Sequence, residues 1–128
     1  MGEIDVLRSA LLTLHRALLH AQRIEAERFG GRMSAAETLQ AAADDLRFSW
    51  LRTLSALVTE LDAARSVADE QQIAASVEEV AALLDPPDAD SAFGARYLKA
   101  LQMHPEAVLA HRDVTAALAR WKASRPAS

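Results

Sequence analysis

From Ile4 onward, apolar side chains return every three or four residues without a break: Ile4, Leu7, Leu11, Leu14, Leu18 and Ala21. That recurrence is the period of an α-helix burying one stripe. Val6, Ala10, Ala17 and Ile24 widen the stripe on one side, and Leu12 and Leu19 on the other. An arc this broad exceeds the seam of a two-stranded coiled coil, so the helix must be contacted from two sides. The spacing predicts a bundle. Its first helix spans 3–28 and stops at Phe29-Gly30-Gly31, where glycine supplies the left-handed residue that ends a helix.

A second patterned run, 45–62, carries Leu46, Trp50, Leu54, Leu57 and Leu61 at the same spacing, with Val58 on that face. It predicts a central helix over 46–65. Between these two, Ser34-Ala35-Ala36-Glu37 has the serine and glutamate of a capping box and opens a short helix over 35–43. Asp44-Asp45 marks a break before the central helix. Ser66 to Asp69 is a second capping-type signal. The helix it opens, over 70–85, has the stripe Ile73, Val77, Val80 and Leu84, and Pro86-Pro87 ends it. Ser91 caps a short helix over 92–102 with Phe93, Tyr97, Ala100 and Leu101 inward. Pro105 suits the first position of a last helix over 105–122, with Ala107, Val108, Val114 and Leu118 on one side. The expectation is an all-α, single-domain helical bundle over 1–128, with four longer helices, two short ones and a frayed tail at 123–128.

Composition supports this. The 128 residues are half apolar and a quarter charged, with four Gly and four Pro, which is globular rather than disordered. With no cysteine, disulfides, thiolate nucleophiles and cysteine zinc sites are all excluded. The net charge of −4 is evenly spread, and no basic block offers the concentrated positive surface that a phosphate backbone needs. Nucleic acid is therefore not an expected partner, and a helix-turn-helix reading of 35–52 is disfavoured. No apolar run is long enough for a membrane span. Residues 1–6 lack the charged and apolar regions of a leader, and Val6 stands where the myristoylation pattern wants Ser or Thr. A cytoplasmic chain is expected. Twelve Arg to two Lys, with abundant Ala, fits a GC-rich bacterial genome.

Three stretches carry a resemblance: 14–19, then 48–62 with Phe48-Ser49-Trp50-Leu51-Arg52-Thr53-Leu54-Ser55, then 96–102 followed by 104–111. Together they resemble an uncharacterised family of small bacterial all-helical proteins with a Phe-x-Trp-Leu-Arg-x-Leu-Ser motif. The resemblance implies a compact bacterial helical domain and carries over no catalytic residue, metal or cofactor.

Few side chains offer chemistry. Helical di-metal bundles use Glu-x-x-His pairs that bring two ligands to one face. This chain has none, nor any His-x-x-x-His, so no metal ligand and no catalytic residue is assigned. A ligand site would have to be assembled from single residues on separate helices: His15 at the edge of the first stripe, Glu25 beyond Ala21, Asp62 bordering the central stripe, and His111 among Ala107, Val108, Val114 and Leu118. The simpler reading makes these histidines core-edge groups held by a neighbour, and the carboxylates members of bundle-end ion pairs. No Gly-rich turn exposes Ser49, Ser55 or Thr59 as a nucleophile, and no phosphate-cradling loop occurs. Phe48 and Arg52, with Leu51 and Ser55, form a second face of the central run, which receives the short helix or meets a partner. Trp121 covers the bundle end or joins a dimer contact. The expected function is a non-catalytic interaction or structural module, a homodimer or the binder of a protein partner. The alternative is a metal- or small-ligand-binding bundle, or an enzyme, using His15, Glu25, Asp62 and His111.

Overall fold

The computed structural model describes residues 2–125, and among these every regular element is helical. In order they are α1 (Glu3–Gly30), α2 (Ala35–Asp44), a 3-10 turn (Ser49–Leu51), α3 (Arg52–Ser66), α4 (Glu70–Leu84), α5 (Ala92–Met103) and α6 (Pro105–Ser124). The predicted all-α architecture is the one observed. The termini follow local chemistry. Ser34 accepts from the Glu37 amide while the Glu37 carboxylate takes the Ser34 N–H, closing the capping box at α2. Asp69 accepts from the Gln72 amide at α4, and Ser91 from the Gly94 amide at α5. Gly31 turns the chain out of α1 at φ 79°.

Cross-links between α1 and α3 fix their direction. Asp5 meets Arg65, Arg8 meets Asp62, His15 meets Ser55 and Gln22 meets Trp50. As one number climbs the other falls, so the two helices are antiparallel. The three-residue link 67–69 folds α4 back against α3. His104, the single residue between α5 and α6, lies beside the C-terminal half of α1, and α6 then runs back along α1. Contacts of α4 with α6 close the ring α1–α3–α4–α6. This is an up-down-up-down four-helix arrangement. The additional elements α2, the 3-10 turn and α5 gather at the end where α1 finishes and α3 begins.

Leu7, Leu11, Leu14 and Leu18 from α1, Leu54 and Leu61 from α3, Val80 and Leu84 from α4, and Val114 from α6 are fully buried. At about 1.5–3 kcal/mol for each large apolar side chain taken from water, such a layer dominates the favourable side of folding.

The structure corrects several expectations. The central helix begins at Arg52 rather than at 46, and Leu46 is 85% exposed. Phe48, expected on a second face, is instead wholly buried with Leu51, while Trp50 is only partly buried. The Asp45 carboxylate accepts from the Arg47 amide at 2.8 Å and also pairs with the Arg47 guanidinium, but the turn that follows is not yet α-helical. The backbone there bonds i to i+3, Phe48 N–H to the Asp45 carbonyl, Ser49 N–H to that of Leu46 and Leu51 N–H to that of Phe48, so the chain winds at about three residues per turn and its side chains leave the wheel of an α-helix. Val108 is also exposed, because α6 buries the row Ala107, Ala110, Val114, Ala117 and Leu118. Helix α6 continues to Ser124, so 123 and 124 belong to it, and Arg125 lies over the Trp121 ring at 4.4 Å. The remainder of the expected frayed tail, 126–128, lies outside the described residues.

Candidate functional site

The end of the bundle carrying α2 and α5 holds an open groove of about 520 Å³. One wall is the last two turns of α1, with Ala21, Gln22, Glu25, Ala26 and Phe29. The other is α5, with Ala95, Arg96, Lys99, Ala100 and Met103, continuing to His104. Trp50, from the turn before α3, closes the base, and Arg47 stands at the rim. The alanines are responsible for the opening, since side chains this small on both walls cannot fill the space between two helices.

Trp50 is held from two directions. Its indole N–H donates to Gln22 Oε1 at 2.9 Å. Its ring lies against Phe93, which stacks on Tyr97, which tilts against His111, each step 5.5 Å between centroids. An aromatic file thus joins the groove to the core. At its inner end Tyr97 Oη and His111 Nδ1 lie 2.7 Å apart. Burial pushes the Tyr97 hydroxyl far above its ordinary range, so it keeps its proton. The hydroxyl can donate to a bare His111 Nδ1 or accept from an Nδ1–H, so the pair closes with either ring tautomer. Burial lowers the His111 pKa, partly opposed by the Asp85 carboxylate.

Gln22 is 9% exposed and lines the groove. An indole can only donate, so Trp50 fixes which end of the Gln22 amide it meets. The Gln22 Nε2 group makes no hydrogen bond within the protein among the described residues and is open to solvent at the groove. On the rim, Glu25 pairs with Arg28 at 3.8 Å and Arg47 with Asp45 at 2.7 Å. Arg96 and Lys99 form no ion pair among the described residues. A chain of net charge −4 therefore places two unpaired cations side by side at this concave surface.

The four residues proposed as a ligand cluster are dispersed. His15 Nε2 lies 2.8 Å from Ser55 Oγ, whose other neighbour is the Leu51 carbonyl oxygen at 3.2 Å. Imidazole N–H to hydroxyl, and hydroxyl to carbonyl, satisfies all three groups, and burial lowers the His15 pKa. The pair lies away from the groove, and Ser55 sits within a helical run whose amides are committed to backbone bonds, leaving no donors for an oxyanion. Asp62 accepts a two-pronged bond from Arg8 at 2.6 and 3.2 Å and lies 3.9 Å from Arg65, which also pairs with Asp5. Among the described residues no three His, Asp or Glu side chains converge on a position for a metal. Only Glu25 of the four lines the groove.

Of the expected interface residues, Phe48 is core, Arg52 donates to the Ala43 carbonyl at the end of α2, and Trp121 is nearly buried beneath Arg125. The face of Phe48 and Leu51 is thus closed within the chain, where the 3-10 turn meets α2. Both cations of 35–52 are engaged internally as well. Sequence reasoning passed over Gln22, Arg96 and Lys99. The available signal was the i, i+3 spacing that puts Arg96 and Lys99 on one face of α5. No helix among the described residues is long and apolar enough to cross a membrane. No family model, curated protein or solved structure matches the chain.

Proposed function

We propose that this protein is a non-catalytic helical binding module that receives its partner in the groove between α1 and α5. One observation carries the reading: the groove is apolar at its base and presents hydrogen-bond donors without partners, while the imidazoles of His15 and His111 lie elsewhere in closed pairs. Open, largely apolar concavities of a few hundred Å³ with a small number of convergent polar groups are the usual form of a binding site. The bacterial, cytoplasmic setting is part of the same proposal and rests on composition and on the resemblance of the motif at 48–55.

The test is a screen of small molecules and short peptides by amide NMR. Binders are expected to move the resonances of the Trp50 indole N–H, Ala95 and Met103 together, and Ala95→Trp, which fills the groove from an exposed position, is expected to abolish the response. Binders whose shifts fall elsewhere, or survive Ala95→Trp, would refute the reading.

Self-association is a second reading, favoured by Phe29, Leu39 and Leu46, which are 87, 67 and 85% exposed around the same end of the bundle. Large apolar side chains left outside together mark contact surfaces. Sedimentation over a concentration series is expected to show a dimer that Leu46→Glu dissociates. A monomer throughout removes this reading and leaves the groove untouched.

A further inference from the structure

We propose that the groove takes a small organic anion, with an alkyl or aromatic body against Trp50 and Met103 and a carboxylate or phosphate head toward Gln22, Arg96 and Lys99. The proposal rests on the reading of the groove as the binding site and adds the chemistry of its ligand.

Three observations converge. The groups that line the groove without a partner include three donors: the Gln22 amide nitrogen, the Arg96 guanidinium and the Lys99 ammonium. The one carboxylate among the lining residues, Glu25, already faces Arg28. Water solvates these donors in the open groove; a cationic head would be repelled by Arg96 and Lys99, whereas an anionic head replaces that water with charge-assisted acceptors. Gln22 adds a donor that opens on the groove, since its Nε2 reaches solvent there while its oxygen is held by Trp50. Trp50 fixes its orientation, so the donor is preorganised before anything binds.

Size decides between a small molecule and a macromolecule. The walls run for about two helical turns, roughly 12 Å, and the space of about 520 Å³ falls within the range of small-molecule sites. A stable protein partner covers on the order of 800 Å² of each surface, more than walls of two turns provide. A second copy seated symmetrically in the groove itself, rather than against Leu39 and Leu46 beside it, would set Arg96 and Lys99 near their own counterparts, which like-charge repulsion opposes.

The experiment uses the full chain carrying Trp121→Phe, so that emission reports Trp50 alone. Octanoate, octyl phosphate, octanol and octylammonium are titrated below their aggregation limits, alongside phosphatidylglycerol vesicles, with the Gln22 side-chain amide followed by NMR. Both anions are expected to shift Trp50 emission and the Gln22 amide resonance, binding roughly tenfold or more tighter than octylammonium. The tighter of the two identifies the head group. Arg96→Glu with Lys99→Glu is expected to erase that preference while the thermal unfolding curve stays in place. Equal binding by all four amphiphiles would overturn the anion assignment and leave the groove as a binding site. A response to vesicles alone, or a preference that survives the double variant, would also overturn it. No groove resonance moving with any probe would overturn both.

Discussion

Ser55 Oγ and His15 Nε2 lie 2.8 Å apart, joining α3 to α1 midway along their antiparallel contact. Burial holds the imidazole below its ordinary value of 6.5, so in mildly acidic solution the unfolded chain binds the proton more readily than the folded one. Stability is therefore whole above about pH 6.5 and is lost as pH falls through the lowered folded value. His111 adds in the same direction, burial outweighing the opposing Asp85 carboxylate. The urea midpoint is expected to drop between about pH 7.5 and pH 5. His15→Gln, which keeps a donor for Ser55, is expected to flatten part of that drop. An unchanged slope in the variant would mean that His15 titrates as it does in the unfolded chain.

Glu60 and Glu79 face each other across α3 and α4. A side-chain hydrogen bond between the carboxyls, and then their mutual repulsion, raises the Glu79 pKa above the ordinary 4.5. The sign here is opposite to that of the histidines. The shared proton favours the folded chain below the unfolded pKa, and that contribution disappears as pH rises through the raised folded value. Glu79→Gln is therefore expected to be more stable than the parent at about pH 7 and to lose its advantage near pH 4. Denaturation curves at both pH values decide it, since a gain independent of pH would trace to helix propensity instead.

Gly94 holds the start of α5 against the preceding loop. A Cβ on this residue would stand 1.8 Å from the Asp88 carbonyl oxygen and 2.6 Å from its carbon, both backbone atoms that cannot swing aside. Gly94→Ala is expected to cost about 3 kcal/mol, at the high end for overpacking. Because Phe93 lies next to it and touches the ring of Trp50, the emission of Trp50 should change too. A fully stable Gly94→Ala protein would show that the Asp88 turn relaxes freely.

The helices were legible in the sequence because stripes and caps are local. Ser34 and Glu37, Ser91, Pro105 and Gly31 act within a turn of where they stand, and each ends or begins a helix as expected. Leu46 and Phe48 were not legible, since a helical wheel assumes a constant rotation and the i to i+3 backbone bonds between Asp45 and Leu51 break it. The proposed polar cluster had a related weakness. A wheel gives the face of a residue but not its height, and His15 and Arg8, the α1 residues at the levels of Ser55 and Asp62, are seven residues apart, about 10 Å along the axis. The groove depends on α1 meeting α5 across some seventy positions of sequence, and no local pattern announces that meeting.

The joint between α3 and α4 contains a residue type that its backbone disfavours. The Ala68 amide bonds to the Arg65 carbonyl and the Asp69 amide to the Ala64 carbonyl, the paired bonds of a Schellman motif. That motif needs a left-handed residue at position 68, and Ala68 adopts it at φ 54°. A Cβ in this conformation crowds the following carbonyl at roughly 1–2 kcal/mol, a penalty glycine escapes. Glycine costs more entropy on folding, which returns about 0.5–1 kcal/mol of that gain. Ala68→Gly is therefore expected to stabilise the fold by a fraction of a kcal/mol up to about 1 kcal/mol, seen as a higher urea midpoint at unchanged slope. Asp69 caps α4 through the Gln72 amide immediately after this turn, so Ala68→Val, which is stiffer at Cβ, is expected to lower the midpoint instead. If glycine and valine moved it in the same direction, the left-handed geometry at 68 would be excluded.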